Sequence, residues 1–261
     1  MPYQFHAASH AGRVRPNNED AVLHDAGLGL ALLADGMGGY NAGEVASEMA
    51  VTHVHASFSR WRASAGNGVG PRESRHALVH GIATANAAVL EAATTRPECR
   101  GMGTTLVCGA FLHRTAVIAH LGDSRCYRWR GFHLECLTRD HSVLQERIDT
   151  GLVDVHRAAS VSYRHLVTRA LGIEAHPRPA VRDHAVRPGD LFLLCSDGLS
   201  DMLNDDAIAE ILAADLPMDG RADAMIAAAN QAGGRDNVSV VLVQADETDR
   251  RRTPIGRWLG N

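Results

Sequence analysis

No run of about 18 apolar residues occurs in the 261-residue chain, so no ordinary membrane-spanning helix is expected. The amino-terminal stretch MPYQFHAASH has neither the charged nor the apolar region of a signal peptide. Basic charge is not in excess: 26 Lys+Arg face 30 Asp+Glu, a formal net charge of −4, so nucleic acid is not an implied partner. The five cysteines, at 99, 108, 126, 136 and 195, are odd in number and contain no Cys-x-x-Cys pair. That excludes a disulfide framework and a zinc cluster as readings, and a reducing cytoplasm fits. None of the 15 histidines forms a His-x-x-x-His pair with a Glu between. Internal repeats and interdomain linkers are also missing. A hydrophobic content of 45% permits a full core, and the length suits one large domain or two small ones.

The most informative stretch is Leu28 to Gly39, LGLALLADGMGG. An apolar run bounded by turn residues predicts a buried strand ending at Asp35. A carboxylate there is costly unless something positive meets it. The glycines at 36, 38 and 39 let backbone approach a ligand closely. An acid beside open backbone suggests a metal site, whereas Asp-Gly alone is ordinary turn chemistry. Other carboxylates must decide.

Strands are predicted at Tyr3 to Ala8, Ala21 to His24 and Leu28 to Ala34. A hairpin folded near Gly27 sets Asp20 roughly opposite Asp35. Helical spacing covers Ala42 to Trp61 and Arg72 to Thr95. Gly103 to Phe111, Thr115 to Leu121, Arg125 to Arg130 and His133 to Thr138 read as an antiparallel meander with short turns, one of them Gly122-Asp123-Ser124. Ser142 to Gly172 reads as an excursion from the sheet. Val181 to Val186 and Asp190 to Cys195 read as a strand pair around Arg187-Pro188-Gly189. Helices over Asp205 to Ala214 and Met218 to Ala232 precede a last strand, Val238 to Gln244.

Asp35 and Asp197 fall at strand ends, each followed by Gly, while Asp20 and Asp236 fall just before strands begin. In an antiparallel sheet the start of one strand neighbours the end of the next, so all four can gather at one edge. Clustered carboxylates call for cations, and oxygen-only ligation suits Mg²⁺ or Mn²⁺ rather than zinc. Several acids around open positions fit a two-metal hydrolytic site. Arg15, ahead of Asp20, has the forked geometry for two phosphate oxygens. A competing match is the Cys-x5-Arg spacing of Cys108 and Arg114. The intervening GAFLH is largely strand continuation, not a phosphate-cradling loop, so Cys108 reads as core.

The motifs G-x-x-R-x-x-N-E-D at Gly12 to Asp20, DGMGG at Asp35 to Gly39 and GMGTT at Gly101 to Thr105 occur in order. GDSR at Gly122 to Arg125, LTRDHS at Leu137 to Ser142 and TRALG at Thr168 to Gly172 continue the series. CSDGL at Cys195 to Leu199 and GGRDNVSVV at Gly233 to Val241 complete it. The ordered set resembles the metal-dependent Ser/Thr protein phosphatases of the protein phosphatase 2C (PP2C, PPM) family, especially compact bacterial members.

The resemblance implies an α+β fold, a four-layer α/β/β/α sandwich of two antiparallel sheets flanked by helix pairs. It implies a phosphatase domain over 1–245, with a flap at about 142–172 and a charged tail at 246–261. It implies hydrolysis of phosphoserine and phosphothreonine in proteins by a metal-activated water at a dinuclear Mn²⁺ or Mg²⁺ centre. Carried over by motif, Asp35 bridges both ions, with the Gly36 carbonyl on one. Asp197 and Asp236 complete the core, and Glu19 and Asp20 hold it directly or through water. Asp140 shares a third, weaker ion with Asp197. Arg15 grips the substrate phosphate, and Arg15, Asp35 and Asp197 form the catalytic set. Met37 stands where animal relatives place a histidine, and Tyr40 where many bacterial members do, so no protein general acid is assigned.

The expected partners are phosphorylated proteins and an opposing bacterial Ser/Thr kinase; nucleic acid and membrane are not expected. The expected state is a cytoplasmic monomer. Two other readings are a regulatory module that has lost catalysis and a two-metal hydrolase of small phosphorylated molecules. The first predicts missing metal acids, and none is missing; a panel of phosphopeptides and phosphorylated metabolites separates the second.

Overall fold

The computed structural model describes residues 1–38, 42–66, 69–154, 161, 163 and 166–246. Tyr40, parts of the expected flap and residues 247–261 of the expected tail lie outside the described residues.

Eleven strands and six α-helices occur among the described residues. One sheet has the order β1-β11-β10-β7-β8, built from β1 (Tyr3–His10), β7 (Arg125–Arg130), β8 (His133–Cys136), β10 (Leu191–Cys195) and β11 (Val238–Ala245). The other has the order β2-β3-β5-β6-β9, from β2 (Asp20–Asp25), β3 (Leu30–Met37), β5 (Leu106–Leu112), β6 (Thr115–Leu121) and β9 (Ala180–Ala185). The two-residue β4 (Gly103–Thr104) extends the second sheet against the end of β3. Every strand pairing is antiparallel.

Each sheet is covered on both faces, which is why its central strands are apolar throughout instead of alternating. In β3, Leu30, Leu32 and Ala34 face a core shared with α1 (Ala42–Ser64) and α2 (Pro71–Thr95). Ala31 and Leu33 face the space between the sheets. In β11, Val241 and Val243 face that same space, while Val240 and Leu242 pack with Ile208, Leu212, Met225 and Ala229 of α5 (Asp205–Ala213) and α6 (Met218–Gln231). Phe111 of one sheet meets Phe192 of the other edge-on, with ring centroids 5.1 Å apart. The result is the four-layer α/β/β/α sandwich. No helix among the described residues is long and apolar enough to cross a membrane.

Two predicted pairings are corrected. The meander from 103 to 138 is divided: β5 and β6 lie in one sheet, β7 and β8 in the other. Gly122-Asp123-Ser124 is therefore a crossing between sheets, not a hairpin turn, and Gly122 takes a positive φ of 99° there. Likewise β9 pairs with β6 and β10 with β7 and β11, so Arg187-Pro188-Gly189 is a second crossing. Short turn-like links look alike in sequence whether they join neighbours or switch sheets; the partner is chosen by which apolar faces are covered. The excursion after Ser142 contains one short helix, α3 (Val143–Asp149), capped by the Ser142 hydroxyl accepting from Gln145 N–H.

The second crossing is pinned by an ion pair whose acid is buried and whose arginine is partly exposed. Arg130 Nε donates to Asp190 Oδ1 at 2.6 Å, and Arg130 also donates to the Ala185 carbonyl. Asp190 is 1% exposed. Its other oxygen accepts from Arg187 N–H at 2.7 Å. Removing the acid leaves Arg187 N–H without its buried acceptor and the partly exposed Arg130 without its partner, so Asp190→Ala should lower unfolding stability by roughly 1–3 kcal/mol. Urea denaturation checks this; a loss under about 1 kcal/mol would mean the pair is screened like a surface bridge.

Candidate active site

The edge at the β6–β7 crossing opens into a cleft of about 490 Å³. Five segments supply its walls. The β1–β2 loop brings Arg15 and Glu19, β3 brings Asp35, Gly36 and Met37, and the β6–β7 crossing brings Asp123. The short helix α4 (Asp197–Ser200) and the turn after it bring Asp197 and Asp201, and the α6–β11 loop brings Arg235 and Asp236. Six carboxylates thus line one cleft.

Hydrogen bonds to backbone hold the acids in place. Thr105 accepts from Asp35 N–H through Oγ1 at 3.1 Å and donates its own N–H to the Asp35 carbonyl at 2.9 Å. The same Oγ1 lies 2.7 Å from Ser124 Oγ, next to Asp123, so the GMGTT motif ties two acid-bearing segments together. Asn237, 5% exposed, joins two loops: Oδ1 accepts from Glu19 N–H at 2.8 Å, and Nδ2 donates to the Ala11 and Asn17 carbonyls. Gly36 packs against the Gly43 backbone and the Glu19 carbonyl so closely that a Cβ has no room, which explains its place after Asp35.

Register sets Asp20 directly opposite Asp35, as the hairpin predicts. Asp20 lies behind the cleft. One oxygen accepts from Ser196 Oγ at 2.8 Å; the other, Oδ1, is buried with no hydrogen-bond partner among the described residues. Burial, then the charge of Asp197, pushes Asp20 up to about 7 against the hydrogen bonds of its serine neighbours. Burial raises Asp35 well above the usual carboxylate range, and Asp20, Asp197, Asp123 and Asp236 add repulsion. Asp123 is pushed up to about 8 by burial and then by Asp197 and Asp140. Burial raises Glu19 as well, partly offset by Arg15. Such acids fill a low-dielectric edge with like charge and leave an oxygen unsatisfied, a donor set that fits hard divalent cations. Among the described residues no three His, Cys, Asp or Glu side chains form a ready metal shell. Cations that keep several waters and take one or two carboxylates each suit such spacing.

Of the residues predicted from sequence, Arg15, Glu19, Asp35, Gly36, Asp197 and Asp236 line the cleft. Arg15 Nη2 donates to Asp236 Oδ2 at 2.7 Å, and that bond leads in raising the guanidinium pKa. One strand boundary differs, since β3 continues past Asp35 to Met37; β10 ends at Cys195 as expected, and Asp197, two residues on, is the first residue of α4. Asp140 is not among the cleft-lining residues. Arg125 holds it, with Nε on Oδ1 at 3.0 Å and Nη2 on Oδ2 at 2.7 Å. Asp123 and Asp201 were missed. The GDSR motif contains Asp123, but its turn composition gives it the character of a turn residue. Cys108 is fully buried in β5 and its thiol is pushed up to about 12 by burial, the reverse of an activated nucleophile.

A family model for protein phosphatase 2C matches residues 8–237, from β1 through the Asp236 loop. The protein phosphatase PhpP of Streptococcus pneumoniae is 34% identical over 241 residues, covering 91% of this chain and 96% of that protein. The crystal structure of the Mycobacterium tuberculosis serine/threonine phosphatase PstP/Ppp superposes with a TM-score of 0.85 at 35% identity, covering 94% of this chain and 100% of that one. The catalytic domain of PstP in complex with two manganese ions gives a TM-score of 0.79 at 36% identity, covering 94% and 99%. The likeness runs through every segment that carries an acid to the cleft, and the chain belongs to the protein phosphatase 2C family of serine/threonine protein phosphatases.

Proposed function

We propose that this protein hydrolyses phosphoserine and phosphothreonine in proteins at a dinuclear Mn²⁺ or Mg²⁺ centre in the acidic cleft, opposing a bacterial Ser/Thr kinase in the cytoplasm. The observation that carries the reading is Asp35, placed among four other carboxylates that raise its pKa. When bound, a pair of divalent cations supplies an acidified water nucleophile and a clamp for phosphoryl oxygens. Asp35, the Gly36 carbonyl, Asp197 and Asp236 would hold the pair, with Glu19 and the buried Asp20 behind them. Arg15 spends one donor on Asp236, which aims the guanidinium and leaves its other donors for phosphate oxygens. No histidine lines the cleft among the described residues, and we assign the proton for the departing serine or threonine oxygen to water. We assign a third, looser cation to Asp123 with Asp197, and give Asp140 the role of orienting Arg125.

Asp35→Asn or Asp197→Asn should cut kcat by more than about 100-fold in saturating Mn²⁺ while the circular dichroism spectrum is kept, because a ligand charge is lost. Chelation should silence the wild type. Near-normal turnover by either variant would overturn the assignment.

Arg15→Ala should raise KM for a phosphopeptide more than it lowers kcat, because the lost grip is felt in the ground state as well as the transition state. Arg15→Lys should recover only part, since an ammonium keeps charge without the fork. Steady-state kinetics across substrate concentration decide; an unchanged KM would mean the phosphate is held elsewhere.

Calorimetric Mn²⁺ titration separates the two candidate third-ion acids. Asp123→Asn should weaken the loosest binding event by about tenfold, the order expected for an altered metal shell. Asp140→Ala should leave the number of bound ions unchanged; the opposite pattern would return the third site to Asp140.

A further inference from the structure

The chain contains no lysine, so every fixed side-chain cation is an arginine fork. Arg15, Arg75, Arg125, Arg128, Arg130 and Arg139 each make an ion pair. Arg13 and Arg235 are among the described arginines that make none. Both are exposed, and neither side chain makes a hydrogen bond or ion pair among the described residues. Arg235 lines the cleft itself, and Arg13 lies two residues before Arg15.

The two are held on one rim. Arg13 N–H donates to the Gly234 carbonyl at 2.7 Å. The Arg13 stem passes over Gly234, where an added Cβ would come within 3.0 Å of Arg13 Cγ. Gly12, at a φ of 81°, packs on the Asp236 and Gly234 carbonyls with no room for a side chain. Asn237 joins the same two loops from beneath. The guanidinium stems therefore start from a stiff double-loop platform, and binding need not order the backbone first.

We propose that the Arg13–Arg235 rim is a specificity subsite that holds an anionic side chain, a carboxylate or a second phosphoryl group, flanking the phosphorylated residue of a protein substrate. The inference rests on the reading of the cleft as catalytic. Arg235 lines the cleft, so a peptide with its phosphate there passes the Arg235 side of the rim. Three extended residues span roughly 10 Å, so the partner group lies within three positions of the phosphothreonine. Guanidinium forks match carboxylate and phosphate oxygens alike.

The test uses the Mn²⁺-loaded full chain and phosphothreonine peptides carrying Asp, phosphoserine, Ala or Arg at each of the three positions on either side. At one position, the anionic peptide should exceed its Ala counterpart in kcat/KM by about tenfold at low salt, the worth of one exposed charge-assisted hydrogen bond. The advantage should shrink as salt rises. The Asp and phosphoserine arms tell which anion is preferred. The ratio is internal to each enzyme: Arg235→Ala or Arg13→Ala should bring it within about twofold of unity, and Arg235→Glu should invert it toward the Arg peptide by removing and reversing the charge. Equal rates across the series in the wild type, or an unchanged ratio in Arg235→Glu, would overturn the subsite while p-nitrophenyl phosphate turnover still upheld the catalytic reading. A wild type that fails to turn over p-nitrophenyl phosphate in Mn²⁺ would overturn both.

Discussion

Mutual repulsion among carboxylates at a partly dry edge is the constraint that the rest of the molecule serves. Acids left free at such a place would either move apart or take up protons. Here they can do little of the first. Asp35 is held at both its N–H and its carbonyl by Thr105, Asp20 by Ser196, and the Glu19 and Asp236 loops by Asn237. The second response is visible in the raised values of Asp20, Asp35 and Asp123. A frame that resists spreading makes the cleft attractive to divalent charge, because the repulsion is already built in when a cation arrives.

The frame is stiff because its anchor groups are buried polar side chains with several partners each. Ser196, fully buried, donates to Asp20 and accepts from Ser239 N–H at 3.0 Å, which links the end of β10 to β11 and β2. Thr105 joins β3 to the β6–β7 crossing. These groups carry no chemistry of their own. Their cost if left unsatisfied is high, so each selects one arrangement of the loops around it.

Much was legible in order along the chain. The apolar runs of β3 and β11, the helical spacing over α1, and the Asp20–Asp35 hairpin are local patterns. Local period is set by backbone geometry and survives without knowledge of the rest of the fold. The motifs that mark Arg15, Asp35, Asp197 and Asp236 were legible for a related reason: a strand end followed by glycine states its own backbone requirement.

Tertiary structure decided what those patterns leave open. Gly122-Asp123-Ser124 and Arg187-Pro188-Gly189 have turn composition, and nothing local says whether the next strand returns beside the last or crosses to the facing sheet. Covering apolar faces on both sides of each sheet decides that, and the choice carries Asp123 into the cleft while Arg125 on β7 takes up Asp140. The sequence by itself determined the strands, the helices and most of the acids at their ends, because these follow from side-chain period and turn chemistry over a few residues. Which acids meet, and which are drawn off into ion pairs, depends on contacts between segments far apart in the chain, and only packing of the two sheets supplies those.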